Sequence, residues 1–229
     1  MKMRSLYAPR AWLVPLLLFI LLAATSACGY VLSHSGPARF DAAILLWFRA
    51  SDDTGRLAGP EWALTFWLAL TLLGDTIPRI VVAVFTIFGL LLLRRWHNAL
   101  FIAGVLISGI ALSTALKYWV ARPRPQLVTH FDHFSSMSFP SGHALNSTLF
   151  YLTIALVLVP LLPQRQASCK ILRWNLYALA IVASLATGIS RVALGVHWPS
   201  DVLAGWVIAA AWAGLWLVLA KRYWPKALL

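Results

Sequence analysis

Acidic residues are scarce in this sequence. Of 229 residues seven are Asp or Glu, and charged residues of both signs make up 11%. A soluble domain carries roughly a quarter charged residues, so a globule surrounded by water is excluded. Cysteine is nearly absent: Cys28 and Cys169 are the two, and they fall on opposite sides of the apolar runs described below, where they cannot pair. A disulfide framework is therefore excluded. Internal repeats, low-complexity tracts and long interdomain linkers are also lacking. The chain, residues 1–229, reads as a single membrane-embedded domain.

What fills the sequence instead is apolar. Hydrophobic residues make up 61%, and the mean hydropathy is +0.78. A helix that crosses a bilayer takes about 20 mostly apolar residues. Six stretches qualify, near 12–32, 77–93, 98–119, 141–162, 174–190 and 200–220. The fold class is therefore all-α, an integral membrane bundle of six transmembrane helices. The apolar run 62–93 is too long for one upright helix, and "GDTIPR" divides it, because Gly74 suits a helix end and Pro78 a helix start. A short interfacial helix on the outer side is expected at 61–73. "FDAAILLWFRA", residues 40–50, is expected to lie along the membrane surface as an amphipathic turn or two. Residues 1–28 have the layout of a secretory signal, and the expectation is an uncleaved first helix. Tryptophans such as Trp12, Trp96, Trp174 and Trp224 fit interfacial anchors.

The net charge of +12 raises the question of nucleic acid, and its distribution answers it. With the N-terminus cytoplasmic, the cytoplasmic segments hold Lys2, Arg4, Arg10, Arg94, Arg95, Arg165, Lys170, Arg173, Lys221, Arg222 and Lys226, and no acid. The opposite side holds the other eight basic residues and all seven acids. Retained basic loops mark the cytoplasmic face. Both termini are expected inside a cytoplasmic (inner) membrane, and nucleic acid is not a partner.

This topology brings distant segments together. The third span ends outward near Lys117, the fourth begins outward at Ser141, the fifth ends outward near Arg191, and the sixth begins outward near Pro199. Three polar segments sit at those ends: "KYWVARPRP" (117–125), "PSGH" (140–143) and "SRVALGVHWPSD" (190–201). Lys117, Arg124 and Arg191 supply three cations suited to a phosphate group; arginine holds phosphate oxygens in two-point contacts, and lysine acts as a compact charge. Ser141 and Gly142 open a helix, whose free N–H groups and dipole attract an anion. His197 carries a ring nitrogen able to attack phosphorus, with Asp201 placed to orient the ring and stabilise its cation. His143 is then free to protonate the leaving oxygen and afterwards to activate water.

The three segments, K-x6-R-P, P-S-G-H and S-R-x5-H-x3-D, resemble the signature of the type 2 phosphatidic acid phosphatase family at every motif position. The motifs run over 117–201, and the six-span layout covers the whole chain. The resemblance implies a phosphohistidine on His197, orientation by Asp201, acid catalysis by His143, and phosphate binding by Lys117, Arg124, Ser141, Gly142 and Arg191. It also implies independence from metal and no cofactor. Vanadate-dependent haloperoxidases share the motifs but are soluble, which six spans exclude here.

Taken singly, a Lys or Arg at a span end snorkels to head groups, and "HWPSD" is an ordinary helix start. Three fixed spacings on one membrane side outweigh those readings. Arg122 is expected to be a decoy rather than a phosphate ligand, because in "RPRP" only Arg124 has the required distance from Lys117. His130, Asp132 and His133 in "HFDH" are too thin a ligand set for a metal and read as a solvated loop. The expected activity is removal of phosphate from a lipid phosphate or diphosphate at the outer face. Candidate substrates are undecaprenyl diphosphate, phosphatidylglycerol phosphate, phosphatidic acid and lipid A phosphates. A lipid-to-lipid phosphotransferase is the alternative within the enzymes. A transporter or non-catalytic lipid-binding protein is remote, since span interiors hold almost no ionisable residues. No obligate protein partner is implied.

Overall fold

The computed structural model describes residues 12–163 and 167–224. Lys2, Arg4, Arg10, Arg165 and Lys226, all used in the charge-bias reading, lie outside the described residues. The chain runs through α1 (Leu13–Ser35), α2 (Arg39–Trp47), α3 (Ala63–Leu72), α4 (Thr76–Leu92), α5 (Trp96–Val120), α6 (Gly142–Leu158), α7 (Ala167–Ala193) and α8 (Pro199–Tyr223). A 3-10 turn, Val159–Leu161, prolongs α6. Among the described residues six segments are long and apolar enough to cross a membrane, with α3 and α4 together forming the second, Ala63–Leu92. No strand occurs among the described residues; the single bridge pairs Arg49 with Leu57.

Helix α6 lies at the centre and packs against α5, α7 and α8, while α1 packs along α8. The core joins Phe101, Ile102 and Val105 of α5 to Leu145 and Leu149 of α6 and Ile208 and Ala209 of α8. By contrast α1 and α4 expose Leu17, Phe19, Phe85 and Leu92. Apolar surface of that extent fits acyl chains rather than water.

The break between α3 and α4 falls where the sequence places it. Asp75 is the extended residue before α4, and Pro78 lies in the first turn, where its missing N–H costs no helical bond. Gly74 lies against the side chains of His143 and Thr187, so a Cβ there would collide with both. The junction thus packs against α6 and α7, while α4 itself packs chiefly along α5. Helix α3 packs along α7.

At one end of the bundle the C-termini of α5 and α7 meet the N-termini of α6 and α8. The Ser141 N–H donates to the Asp201 carbonyl at 3.1 Å, and the Phe131 N–H to the Leu194 carbonyl at 2.9 Å. Trp198 Nε1 donates to the Pro123 carbonyl at 3.1 Å. At the opposite end the described basic residues Arg94, Arg95, Lys170, Arg173, Lys221 and Arg222 gather without an acid.

Candidate active site

The loop after α5 begins at Ala121, whose left-handed conformation (φ 49°) ends the helix. Each residue before a proline is pushed toward extended backbone, so "RPRP" runs out from the helix end, and its two arginines take different partners. Arg122 points inward and is 1% exposed. Its Nη1 donates to Asp201 Oδ1 at 2.5 Å and Ser200 Oγ at 2.7 Å, and its Nη2 donates to Asp41 Oδ2 at 3.0 Å. Arg124 Nη1 donates to the Val196 carbonyl at 2.5 Å and to His197 Nε2 at 3.2 Å, and its Nε donates to the Ser136 carbonyl at 2.9 Å. Burial, then the neighbouring Arg191 cation, lowers the Arg124 pKa to about 10.

His197 ends the turn that joins α7 to α8. Gly195 makes that turn possible: its φ is +80°, and a Cβ would meet Arg49 Nη2 at 2.5 Å and the Thr129 carbonyl at 2.7 Å. The ring is 2% exposed. Burial, and then the cations Arg124, Lys117 and Arg191, hold its pKa well below the usual histidine value. The ring is therefore neutral, with a lone pair on the Nε2 that accepts from Arg124 and a proton on Nδ1. Nδ1 lies 3.4 Å from Ser138 Oγ, which donates to Asp201 Oδ2 at 2.5 Å.

Asp201 itself is 3.7 Å from Nδ1, too far for a hydrogen bond. The expected direct His197–Asp201 bond is thus replaced by a bridge through the Ser138 hydroxyl. Asp201 occupies the first turn of α8, where its Oδ2 also accepts from the Trp198 N–H at 3.1 Å. Arg122, Ser138 and Trp198 together hold the carboxylate in place.

His143, the second residue of α6, places Nε2 at 3.0 Å from Asp75 Oδ1. Ser141 caps α6 with its side chain, accepting from the Ala144 N–H at 3.4 Å, and Gly142 lies next to the Lys117 side chain. Lys117 Nζ donates to the Met137 carbonyl at 2.6 Å. Arg191, 2% exposed, donates to Thr71 Oγ1 at 2.8 Å and to Asp132 Oδ2, and its Nε has no partner. Burial would raise the Asp132 pKa, but the hydrogen bond and charge of Arg191 prevail and hold it below the ordinary carboxylate range.

Lys117, Arg124, Gly142, His143, Arg191, His197 and Asp201 therefore gather at one end of the bundle, with Ser141 capping the helix behind them. Arg122, expected not to take the phosphate, is buried and clamps Asp201. The "HFDH" loop differs from expectation. Asp132 is paired to Arg191 rather than solvated, while His130 Nε2 turns to the Pro125 carbonyl at 2.6 Å. Among the described residues no group of three His, Cys, Asp or Glu lies together as a metal site does. Asp41, Thr71, Asp75 and Ser138 escaped the sequence reading. Asp75 alone carried a signal, as the acid at a predicted helix start on the same side as the motifs.

A neutral buried imidazole facing three cations, with its far nitrogen linked through a serine to a carboxylate, is equipped to attack an anionic phosphorus centre. The chain is similar to proteins already known. Residues 98–225 match the family model of the PAP2 superfamily. Phosphatidylglycerophosphatase B of Bacillus subtilis is 38% identical over 117 residues, 51% of this chain and 55% of that protein. Lipid A 1-phosphatase of Rhizobium etli is 32% identical over 152 residues, 58% of each chain. The chain spans about half the length of the curated relatives it matches. The crystal structure of a transmembrane PAP2-type phosphatidylglycerolphosphate phosphatase from Bacillus subtilis superimposes with a TM-score of 0.74 at 28% identity, covering 91% of this chain and 96% of that one.

Proposed function

The chain belongs to the PAP2 superfamily and is a multi-pass membrane protein, and from that premise we propose that it is a lipid phosphate or diphosphate phosphatase. The observation that carries this reading is His197: buried, neutral, with Nε2 at 3.2 Å from Arg124 and Nδ1 turned to the Ser138–Asp201 pair. Nε2 attacks phosphorus in line with the leaving oxygen. An N–P bond forms, the P–O bond breaks, and His143 gives the departing oxygen its proton. The developing charge on the equatorial oxygens is met by Lys117, Arg124 and Arg191 and by the first N–H groups of α6. As Nε2 becomes bonded, the imidazole turns cationic, and the Nδ1 proton is held toward Ser138 and Asp201. His143 then takes a proton from water, which attacks the phosphohistidine and frees phosphate.

The substrates fit the surroundings: a head group at the cations and a tail in the bilayer. Undecaprenyl diphosphate, phosphatidylglycerol phosphate and phosphatidic acid meet that description. The site faces the periplasm or exterior and both termini lie in the cytoplasm, a reading supported by the basic residues at the far end of the bundle. The whole chain, 1–229, acts as one membrane-embedded unit, and its phosphate charge is neutralised by side chains rather than by a metal.

The test is phosphate release from these three lipids by the full chain purified in detergent, with His197→Ala beside it. Wild type is expected to release phosphate from at least one lipid, and the variant to lose at least about a thousandfold. Wild-type turnover in His197→Ala overturns the mechanism.

A further inference from the structure

Between α4, α5 and α6 lies a cavity of about 370 Å³ lined by Ile80, Val84, Leu106, Ile107 and Leu149. Its polar residues are Thr76 and Arg79 from the first turns of α4 and Asn146 from the second turn of α6. Asn146 also lines a second, more polar cavity beside Lys117 and Gly142, bounded by Ser113 and Thr114. The two spaces meet at Asn146, three residues along α6 from His143.

Arg79 is a fourth cation that the phosphate motifs do not include. Its Nε donates to the Gly74 and Asp75 carbonyls at 2.9 and 3.2 Å. Among the described residues its two terminal nitrogens have no protein acceptor, and Asp75, whose charge attracts it, makes its direct ion pair with His143 instead. Asn146 lines the same cavity, and its Nδ2 hydrogens can donate to an anion there. An unpaired cation beside an apolar groove is costly unless something anionic meets it.

We infer that Arg79 and Asn146 form a second subsite, one that binds an anionic group lying between the reacting phosphate and the lipid tail. This inference rests on the lipid phosphatase reading above. A tail seated between α4 and α5, with its terminal phosphate at His197, has to pass this neck. In a lipid diphosphate the bridging phosphate occupies the neck; in a phosphorylated phosphatidylglycerol the phosphodiester does. A simple lipid monophosphate brings no charge there. The subsite therefore selects lipids that carry a second phosphate. Arginine suits the task because its terminal nitrogens form a planar fork while Nε stays engaged.

The experiment compares farnesyl diphosphate with farnesyl monophosphate, which share one tail, on the full-length wild type, Arg79→Gln and Arg79→Lys in detergent. Each variant is measured against wild type on the same lipid, so intrinsic differences in reactivity cancel. Arg79→Gln is expected to lower kcat/KM for the diphosphate by about tenfold or more and for the monophosphate by less than about threefold. Arg79→Lys is expected to keep most of the preference. Equal losses on both lipids mean that Arg79 merely braces the α3–α4 junction or meets head groups, and overturn the subsite. If wild type hydrolyses neither farnesyl lipid, the phosphatase reading is decided separately by the three-lipid assay above. Thermal stabilisation by the two lipids then decides the subsite: a larger shift with the diphosphate, lost in Arg79→Gln, supports it, and equal shifts overturn it.

Discussion

Arg122 and Asp201 form a 2.5 Å ion pair in which neither side chain meets solvent. The same guanidinium holds Asp41 at 3.0 Å, and Asp41 in turn accepts from the N–H and hydroxyl of Ser200 at 2.8 and 2.7 Å. One cation thereby ties α2 to the first turn of α8, beside His197. Removing it leaves two carboxylates buried without a counter-charge. Breaking a buried pair in that way costs about 3–5 kcal/mol. Arg122→Leu is expected to lower thermal stability in detergent markedly, with activity falling alongside, whereas Asp41→Asn is expected to cost less because Arg122 keeps Asp201. An Arg122→Leu protein with the wild-type melting temperature contradicts the clamp.

Asp75 lies 3.0 Å from His143 and has no other role near phosphate. If it holds the general acid in place, its loss falls on the step that protonates the leaving oxygen. General acid catalysis contributes roughly a hundredfold or more. Asp75→Asn is expected to lower hydrolysis of an alkyl lipid phosphate by about tenfold to a hundredfold. With p-nitrophenyl phosphate, whose leaving group departs without a proton, the loss is expected to be much smaller. Equal losses on both substrates refute the assignment.

The motif residues were legible because their chemistry is fixed along the chain. Lys117 and Arg124, or His197 and Asp201, keep their spacing whatever the rest of the fold does, and hydropathy alone put their helix ends on one side. Span lengths followed from apolar runs, and the break at Gly74 from its neighbours. Asp41, Thr71 and Ser138 were not legible. Each is a lone polar residue whose partner lies far away in sequence, so only tertiary packing gives it a role. The role of Arg122 was hidden for a related reason. Counting from Lys117 singles out Arg124 as the candidate phosphate ligand, but does not reveal that the fold buries Arg122 against Asp41 and Asp201.

The low pKa of His197 carries a pH signature. Burial and the surrounding cations disfavour the imidazolium in the folded protein, while an unfolded chain takes up that proton below about pH 6.5. The unfolded state then binds more protons, so this residue makes stability fall as pH drops below that value. The nucleophile itself stays neutral there. Single-turnover formation of the phosphoenzyme is expected to stay level from about pH 7 to below about pH 6, and His197→Gln is expected to melt with less acid sensitivity than wild type. A phosphorylation rate already halved near the ordinary histidine pKa, about 6.5, opposes this account.

With the phosphate held by Lys117, Arg124 and Arg191 as proposed, its charge needs no metal ion. Activity in detergent is expected to change by less than about twofold after EDTA treatment. Strict dependence on added magnesium means that Lys117, Arg124 and Arg191 do not neutralise the phosphate as argued.

Arg191 separates charge from shape most sharply. It is buried, with Thr71 Oγ1 at 2.8 Å and Asp132 already on Nη1 and its Nε without a partner. A planar guanidinium can keep Thr71 on one nitrogen and present others to two phosphate oxygens. Lysine at this position preserves the charge but offers one compact ammonium on a flexible stem. Arg191→Lys is therefore expected to lower kcat/KM by about tenfold to a hundredfold, while Lys117→Arg, which replaces a point charge by a fork, costs less. Thr71→Val should raise KM modestly by freeing the guanidinium to tilt. Unchanged turnover in Arg191→Lys means that the residue acts through charge alone, and two-point phosphate contact at this position is then wrong.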